Sequence, residues 1–158
     1  MRFFFYGTLG EGMDNPTITA IRPRLGPARA AATRGALFAL PDRDGWYPGL
    51  LPDPGGAAIR GVLYEPGADF TAADLARLDA YEAFDPARPE ASEYIRRAIE
   101  VEPCGEMGTE PRQGGEWLSA EAYVYNRPLP PGARPIAQGS FAAFLAANGV
   151  RALAPRDP

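Results

Sequence analysis

The chain has no histidine and no lysine, and its single cysteine is Cys104. Without histidine there can be no Ser-His-Asp or Cys-His triad, no histidine metal site and no imidazole base. Without lysine, a Walker-type phosphate loop, a Schiff base and pyridoxal chemistry fall away too. One thiol cannot build a disulfide framework and suits a reducing compartment, so a cytoplasmic protein is expected. Cys104 stands between Pro103 and Gly105 with no histidine to activate it, and is read as structural. Proton transfer near neutral pH is left to a carboxylate of raised pKa, a tyrosine or that thiol.

Long apolar runs are also missing, so no membrane partner is expected. MRFFFYGTLG opens on aromatics but reaches Gly7 and Thr8 too early for the core of a leader, and is read as a buried strand. The net charge is −4 and the 16 basic residues, all arginine, are scattered, which argues against nucleic acid or an anionic surface as partner. What remains is an ordinary globular composition, 46% hydrophobic, in a chain of 158 residues. That predicts one domain over 1–150 with 151–158 as a flexible tail, and 18 Gly with 18 Pro predict short elements.

A first strand runs over residues 2–6 to a turn at Gly7. A second is expected over 33–40, closed by Pro41 and a turn-rich stretch in which Trp46-Tyr47-Pro48-Gly49-Leu50 either rims a pocket or forms an aromatic surface turn. A third covers Ile59–Glu65. Thr71 with Asp74 three residues on reads as a capping box, and Leu75 and Leu78 give the helix that follows its apolar stripe. Tyr94–Val101 alternates, with Ile95, Ile99 and Val101 on one face and Tyr94, Arg96 and Glu100 on the other. Its partner is Glu121–Tyr125, across a loop at 103–116. The tyrosines at 94, 123 and 125 either pack across strands or face a cavity. A last helix spans Ser140–Asn148 and stops at Gly149. The pattern is α+β: a small, mixed, partly closed β-barrel with one internal and one C-terminal helix.

Glu82 breaks the pattern of the first helix, projecting between Leu75 and Leu78 where the core belongs. An ionised carboxylate there costs several kcal/mol unless it is paired. The outcomes are a salt bridge to Arg96 or Arg97, a raised pKa, or a cavity that uses it. Asp79, beside that stripe, is expected to hydrogen-bond helix to loop; Glu11 and Asp14 are read as solvated. In the turn after the first strand, Gly7 can take positive φ and expose successive N–H groups suited to a carboxylate or oxyanion.

Phe4-Phe5-Tyr6-Gly7-Thr8-Leu9, Tyr47-Pro48-Gly49-Leu50, Arg60-Gly61-Val62-Leu63-Tyr64, Leu78-Asp79-Ala80-Tyr81-Glu82, Tyr94-Ile95-Arg96-Arg97 and Ala122-Tyr123-Val124-Tyr125 stand in an order that resembles the γ-glutamylcyclotransferase-like family, in its γ-glutamylamine cyclotransferase and AIG2-like branch. The resemblance implies a barrel with a cavity, Glu82 as catalytic acid/base, and Tyr6, Gly7, Thr8, Leu9 and Tyr125 as substrate-binding residues. It implies cyclisation of a γ-glutamyl amine, or a related acyl-amine conjugate, to 5-oxoproline, with no cofactor and no metal, in a monomer or weak homodimer. Typical members often carry Gly directly after that glutamate, whereas Ala83 stands here. The alternatives are a non-catalytic small-molecule binder of this fold and an amide hydrolase in which Glu82 activates water.

Overall fold

The computed structural model describes residues 1–7, 16–105 and 115–153. Strand β1 (Phe3–Phe5) lies between two neighbours, antiparallel to β4 (Ala57–Tyr64) and parallel to β6 (Leu118–Tyr125). The spine is β2 (Ala28–Asp42), 15 residues long. Its first half pairs with β4 and its second half with β3 (Gly45–Pro52). Residues Ala31–Thr33 also pair with β5 (Tyr94–Pro103), which is antiparallel to β6. The order β2-β4-β1-β6-β5 therefore returns to β2 and closes a five-stranded barrel, to which β3 and the short β7 (Arg134–Pro135) add.

Because side chains alternate along each strand, every barrel strand feeds two cores. One face gives Phe4, Ala31, Ile59, Leu63, Ile99, Val101, Ala120, Ala122 and Val124. This is the barrel interior, and its alanines suit the narrow bore of a five-stranded closure. Helix α3 (Phe141–Asn148) packs Phe141 and Phe144 on it, with Ser140 as N-cap and Gly149 in the left-handed conformation at its end, as expected. The opposite face, with Phe3, Phe5, Val62, Tyr64, Tyr94, Tyr123 and Tyr125, lies under α1 (Pro16–Leu25) and α2 (Ala72–Tyr81), which contribute Ile21, Leu25 and Leu78.

The cap of α2 is the reciprocal box expected from Thr71 and Asp74. Asp74 also receives Arg24 of α1, at 2.6 and 3.0 Å. That guanidinium, with the Thr71 N–H, holds the Asp74 carboxyl well below the usual carboxylate range.

Four readings of the sequence are corrected. The second strand starts at Ala28 rather than Thr33, because the alanines from 28 to 32, poor strand formers alone, are held by β4 and β5. Trp46–Leu50 is not a turn but the middle of β3, with Pro48, Gly49 and Leu50 buried. Residues 16–25 form a helix that was not anticipated. The tail is not free from Arg151: Trp46 N–H donates to the Arg151 carbonyl, Leu153 N–H donates to the Trp46 carbonyl, and Ala152 bridges to Trp46. No helix among the described residues is long and apolar enough to cross a membrane.

Candidate active site

Helix α2 ends at Glu82 for a reason visible in its backbone. Ala83 N–H donates to the Ala80 carbonyl and Phe84 N–H to the Asp79 carbonyl, the two bonds of a Schellman motif. The motif requires a left-handed residue between them, and Ala83 supplies it at φ 51°, the one non-glycine residue with positive φ among those described. Glu82 is the C-cap, its own N–H still donating to the Leu78 carbonyl at 3.1 Å. The side chain is therefore carried by a fixed backbone rather than a fraying end.

The helix's last turn is anchored to the barrel by Asp79. Its Oδ1 accepts from Tyr123 Oη at 2.8 Å and from Arg96 Nε at 2.9 Å. Arg96 also reaches Glu121 at 3.6 Å and lies 5.8 Å from the Phe84 ring centroid. Asp79 thus ties helix to sheet rather than helix to loop. Arg96, spent on Asp79 and Glu121, is not a partner for Glu82, and Arg97 is exposed. Among the described residues no ion pair reaches Glu82.

Glu82 keeps partial contact with solvent while protein atoms surround its carboxyl. Burial, and secondarily the charge of Glu93, push the carboxyl up to about 8. The phenols of Tyr6, Tyr94 and Tyr123 sense the same carboxyl, though in each case burial is the largest cause of a strong upward shift. All three stay neutral at physiological pH and act as hydrogen-bond donors. Tyr6 Oη donates to the Tyr123 carbonyl and Tyr94 Oη to the Pro48 carbonyl.

Of the first turn, Tyr6 lies near enough to Glu82 for that carboxyl to act on its phenol, and Gly7 packs against Pro48. Gly7 itself corrects an expectation: its φ is not positive. Glycine is needed there because a Cβ would collide with the Pro48 ring. Thr8 and Leu9 lie outside the described residues, as do Glu11, Asp14 and most of the 103–116 loop. Tyr125 packs on Tyr94, ring centroids 5.6 Å apart, and its hydroxyl donates to the Pro128 carbonyl at 3.4 Å. The pairing of β5 with β6 is the expected one, in the register Tyr94↔Tyr125.

Glu93 was not anticipated near Glu82, and Tyr47 was anticipated only within a stretch that either rims a pocket or turns. Glu93 immediately precedes β5, where strand parity no longer says which way a side chain points, and Tyr47 was hidden in a Pro/Gly-rich stretch that reads as turn. Among the described residues no three acidic or thiol side chains converge as a metal site would require.

Glu82 is thus a half-buried glutamate at a helix C-cap on a closed barrel, with no ion-pair partner among the described residues. The chain belongs to the γ-glutamyl cyclotransferase, AIG2-like family, whose model it matches over residues 3–143. Among curated proteins none matches it. Solved structures share the fold. An AIG2-like protein from Mus musculus superposes with a TM-score of 0.61 at 22% identity, covering 99% of this chain and 97% of that one. An uncharacterised protein from Pyrococcus horikoshii gives 0.52 at 16%, covering 94% and 96%. Allophanate hydrolase of Kluyveromyces lactis gives 0.57 at 17%, covering 93% of this chain but 21% of the larger enzyme.

Proposed function

We propose that this protein is a cofactor-independent γ-glutamyl amide cyclotransferase, with Glu82 as the acid/base and the turn from Tyr6 to Leu9 together with Tyr125 as substrate-binding residues. One observation carries the reading: an unpaired carboxyl titrating at about 8 in a half-enclosed setting. The α-amino group of a γ-glutamyl amide stands beside a free α-carboxylate and titrates somewhat above the peptide-type value of about 8. Proton transfer from it to Glu82 is then only modestly uphill, far less so than to an ordinary carboxylate, and the same group can return the proton.

In this reaction Glu82 takes a proton from the α-ammonium of the γ-glutamyl group. The freed nitrogen attacks the γ-carbonyl, forming the ring C–N bond. Collapse breaks the bond to the leaving amine, and Glu82 returns the proton to that amine. The products are 5-oxoproline and a free amine, with no water consumed. Ring closure is intramolecular, so the protein has only to fold the substrate, support the oxyanion and move the proton. Burial, and secondarily the charge of Glu93, favour the uncharged form of Glu82 in the resting site. An arriving ammonium reverses that preference by supplying the missing positive charge. The composition argued above suits a reducing, cytoplasmic setting for this chemistry.

The test is to incubate the protein with a panel of γ-glutamyl amides and identify the product by mass. 5-Oxoproline supports the reading. Glutamate would mean that Glu82 activates water, and ligand stabilisation without any product would mean a binding protein.

A further inference from the structure

Strand β3 is not one of the five strands that close the barrel, yet its middle meets three of them where the site lies. The Pro48 carbonyl accepts from the buried Tyr94 hydroxyl of β5. Gly49 lies against Tyr125 of β6, whose Cβ and Cγ would each come 3.3 Å from a Cβ built on that glycine. The Pro48 ring lies on Gly7, where the chain leaves β1.

The contact at Gly7 is close and has little room to yield. A Cβ built on Gly7 would collide with Pro48 Cγ, with Cβ and Cδ of the same ring at 3.4 Å. A pyrrolidine ring has no rotamer by which to turn aside. Nor can the strand retreat freely, because Pro48 is buried, pairs with Ala39 of β2 and has its carbonyl held by Tyr94. The chain is also held one residue earlier, where the Tyr6 hydroxyl donates to the Tyr123 carbonyl of β6. Two contacts therefore fix the course of the chain through Tyr6 and Gly7: a phenol bonded to β6 and a proline ring of β3.

Building on the cyclotransferase reading, in which the turn that starts at Tyr6 holds the γ-glutamyl group, we propose that Pro48 is a positioning residue for substrate binding, its ring seating Gly7 and setting the course on which the chain leaves β1. With its carbonyl bonded to Tyr94 and its ring on Gly7, Pro48 acts through the turn rather than on the substrate. Glu82 stands on another element, at the end of α2. Disturbing the seat weakens substrate binding and spares proton transfer.

Pro48→Ala deletes Cγ and Cδ but keeps Cβ, so it removes the atom with which a methyl on Gly7 would collide. The test measures kcat and KM for 5-oxoproline release from a γ-glutamyl alkylamine by wild type, Pro48→Ala, Gly7→Ala and the double variant, at a temperature where thermal melts show each protein folded. Both single variants should raise KM, Pro48→Ala with kcat close to wild type. In the double variant the methyl enters space the ring has left, so KM should fall about tenfold below that of Gly7→Ala, a coupling usual for residues in contact. A merely structural seam would lower Tm and leave KM unchanged in Pro48→Ala, and that result overturns the proposal. So does a double variant that binds no better than Gly7→Ala. Should Gly7→Ala not fold, Pro48→Ala decides alone: a raised KM at constant kcat supports the assignment, and any other outcome overturns it. If wild type releases no 5-oxoproline, the cyclotransferase reading fails separately, and calorimetric affinities of the same proteins for the γ-glutamyl alkylamine decide on Pro48. Affinity lost in the single variants and regained in the double supports the seat; equal affinities, or no binding at all, overturn it.

Discussion

Replacing Glu82 by glutamine should stabilise the fold at neutral pH while removing the group proposed to move protons. In the folded chain Glu82 titrates at about 8, against an ordinary 4.5. Between those pH values the folded state retains a proton that the unfolded chain has released. A raised folded-state pKa means that the contribution is complete below about 4.5 and is lost as pH rises through about 8. Neutral pH lies roughly 2.5 units above the ordinary value, which linkage converts to about 3 kcal/mol at pH 7 as an upper bound for a partly exposed group. Glutamine is nearly isosteric and never ionises, so it escapes that loss. In a chain of this size the full effect corresponds to a rise of about 6–12 °C in Tm. Urea unfolding of both proteins at intervals from pH 4.5 to 8.5, followed by circular dichroism, would measure it. The difference should widen steadily in favour of Glu82→Gln as pH rises, and the slope matters more than the offset, since the amide adds a pH-independent constant. A flat difference, or one that widens in favour of wild type, would refute the placement of Glu82 in a desolvating site.

Three further outcomes follow from the same geometry. Ala83→Gly should raise stability by up to about 1 kcal/mol, because it relieves a left-handed alanine at a slight cost in unfolded-chain entropy, and Ala83→Val should lower it; thermal melts decide. Asp79→Ala should cost about 3 kcal/mol in urea unfolding, since it strips the partner from a largely buried Arg96 and unties α2 from Tyr123. Glu93→Gln removes the smaller of the two causes that raise Glu82, so the carbon-13 titration of the Glu82 carboxyl should move to lower pH than in wild type; an unchanged midpoint would contradict their proximity.

The elements most legible in the sequence were those whose local chemistry agrees with their tertiary role. Thr71 and Asp74 announced the start of α2, Ser140 and Gly149 bracketed α3, and the alternation from Tyr94 to Val101 gave both the strand and its partner β6. Strand β3 was missed because Pro48 and Gly49 look like turn formers. Gly49 is instead required by crowding, as a Cβ there would come 2.8 Å from Leu40 Cδ1 and 3.3 Å from Tyr125 Cβ. The alanines that open β2 carry no strand signal of their own and acquire one only through partners distant in sequence. Glu82 was legible as a carboxylate out of place on an apolar stripe. Its lack of an arginine partner was not, because that depends on Arg96 being taken by Asp79 across α2 and β5. The role of Ala83 was equally hidden: its departure from glycine was visible, whereas the left-handed backbone it must adopt follows only from the helix ending where it does.

The most direct test of proton transfer by Glu82 is the rate of 5-oxoproline release from a γ-glutamyl amide by wild type and by Glu82→Gln at pH 7.5, with folding of both verified by circular dichroism. Loss of a general acid/base should lower kcat by about 10²–10⁴-fold while the variant stays folded. A folded Glu82→Gln protein that releases 5-oxoproline at close to the wild-type rate would contradict that role.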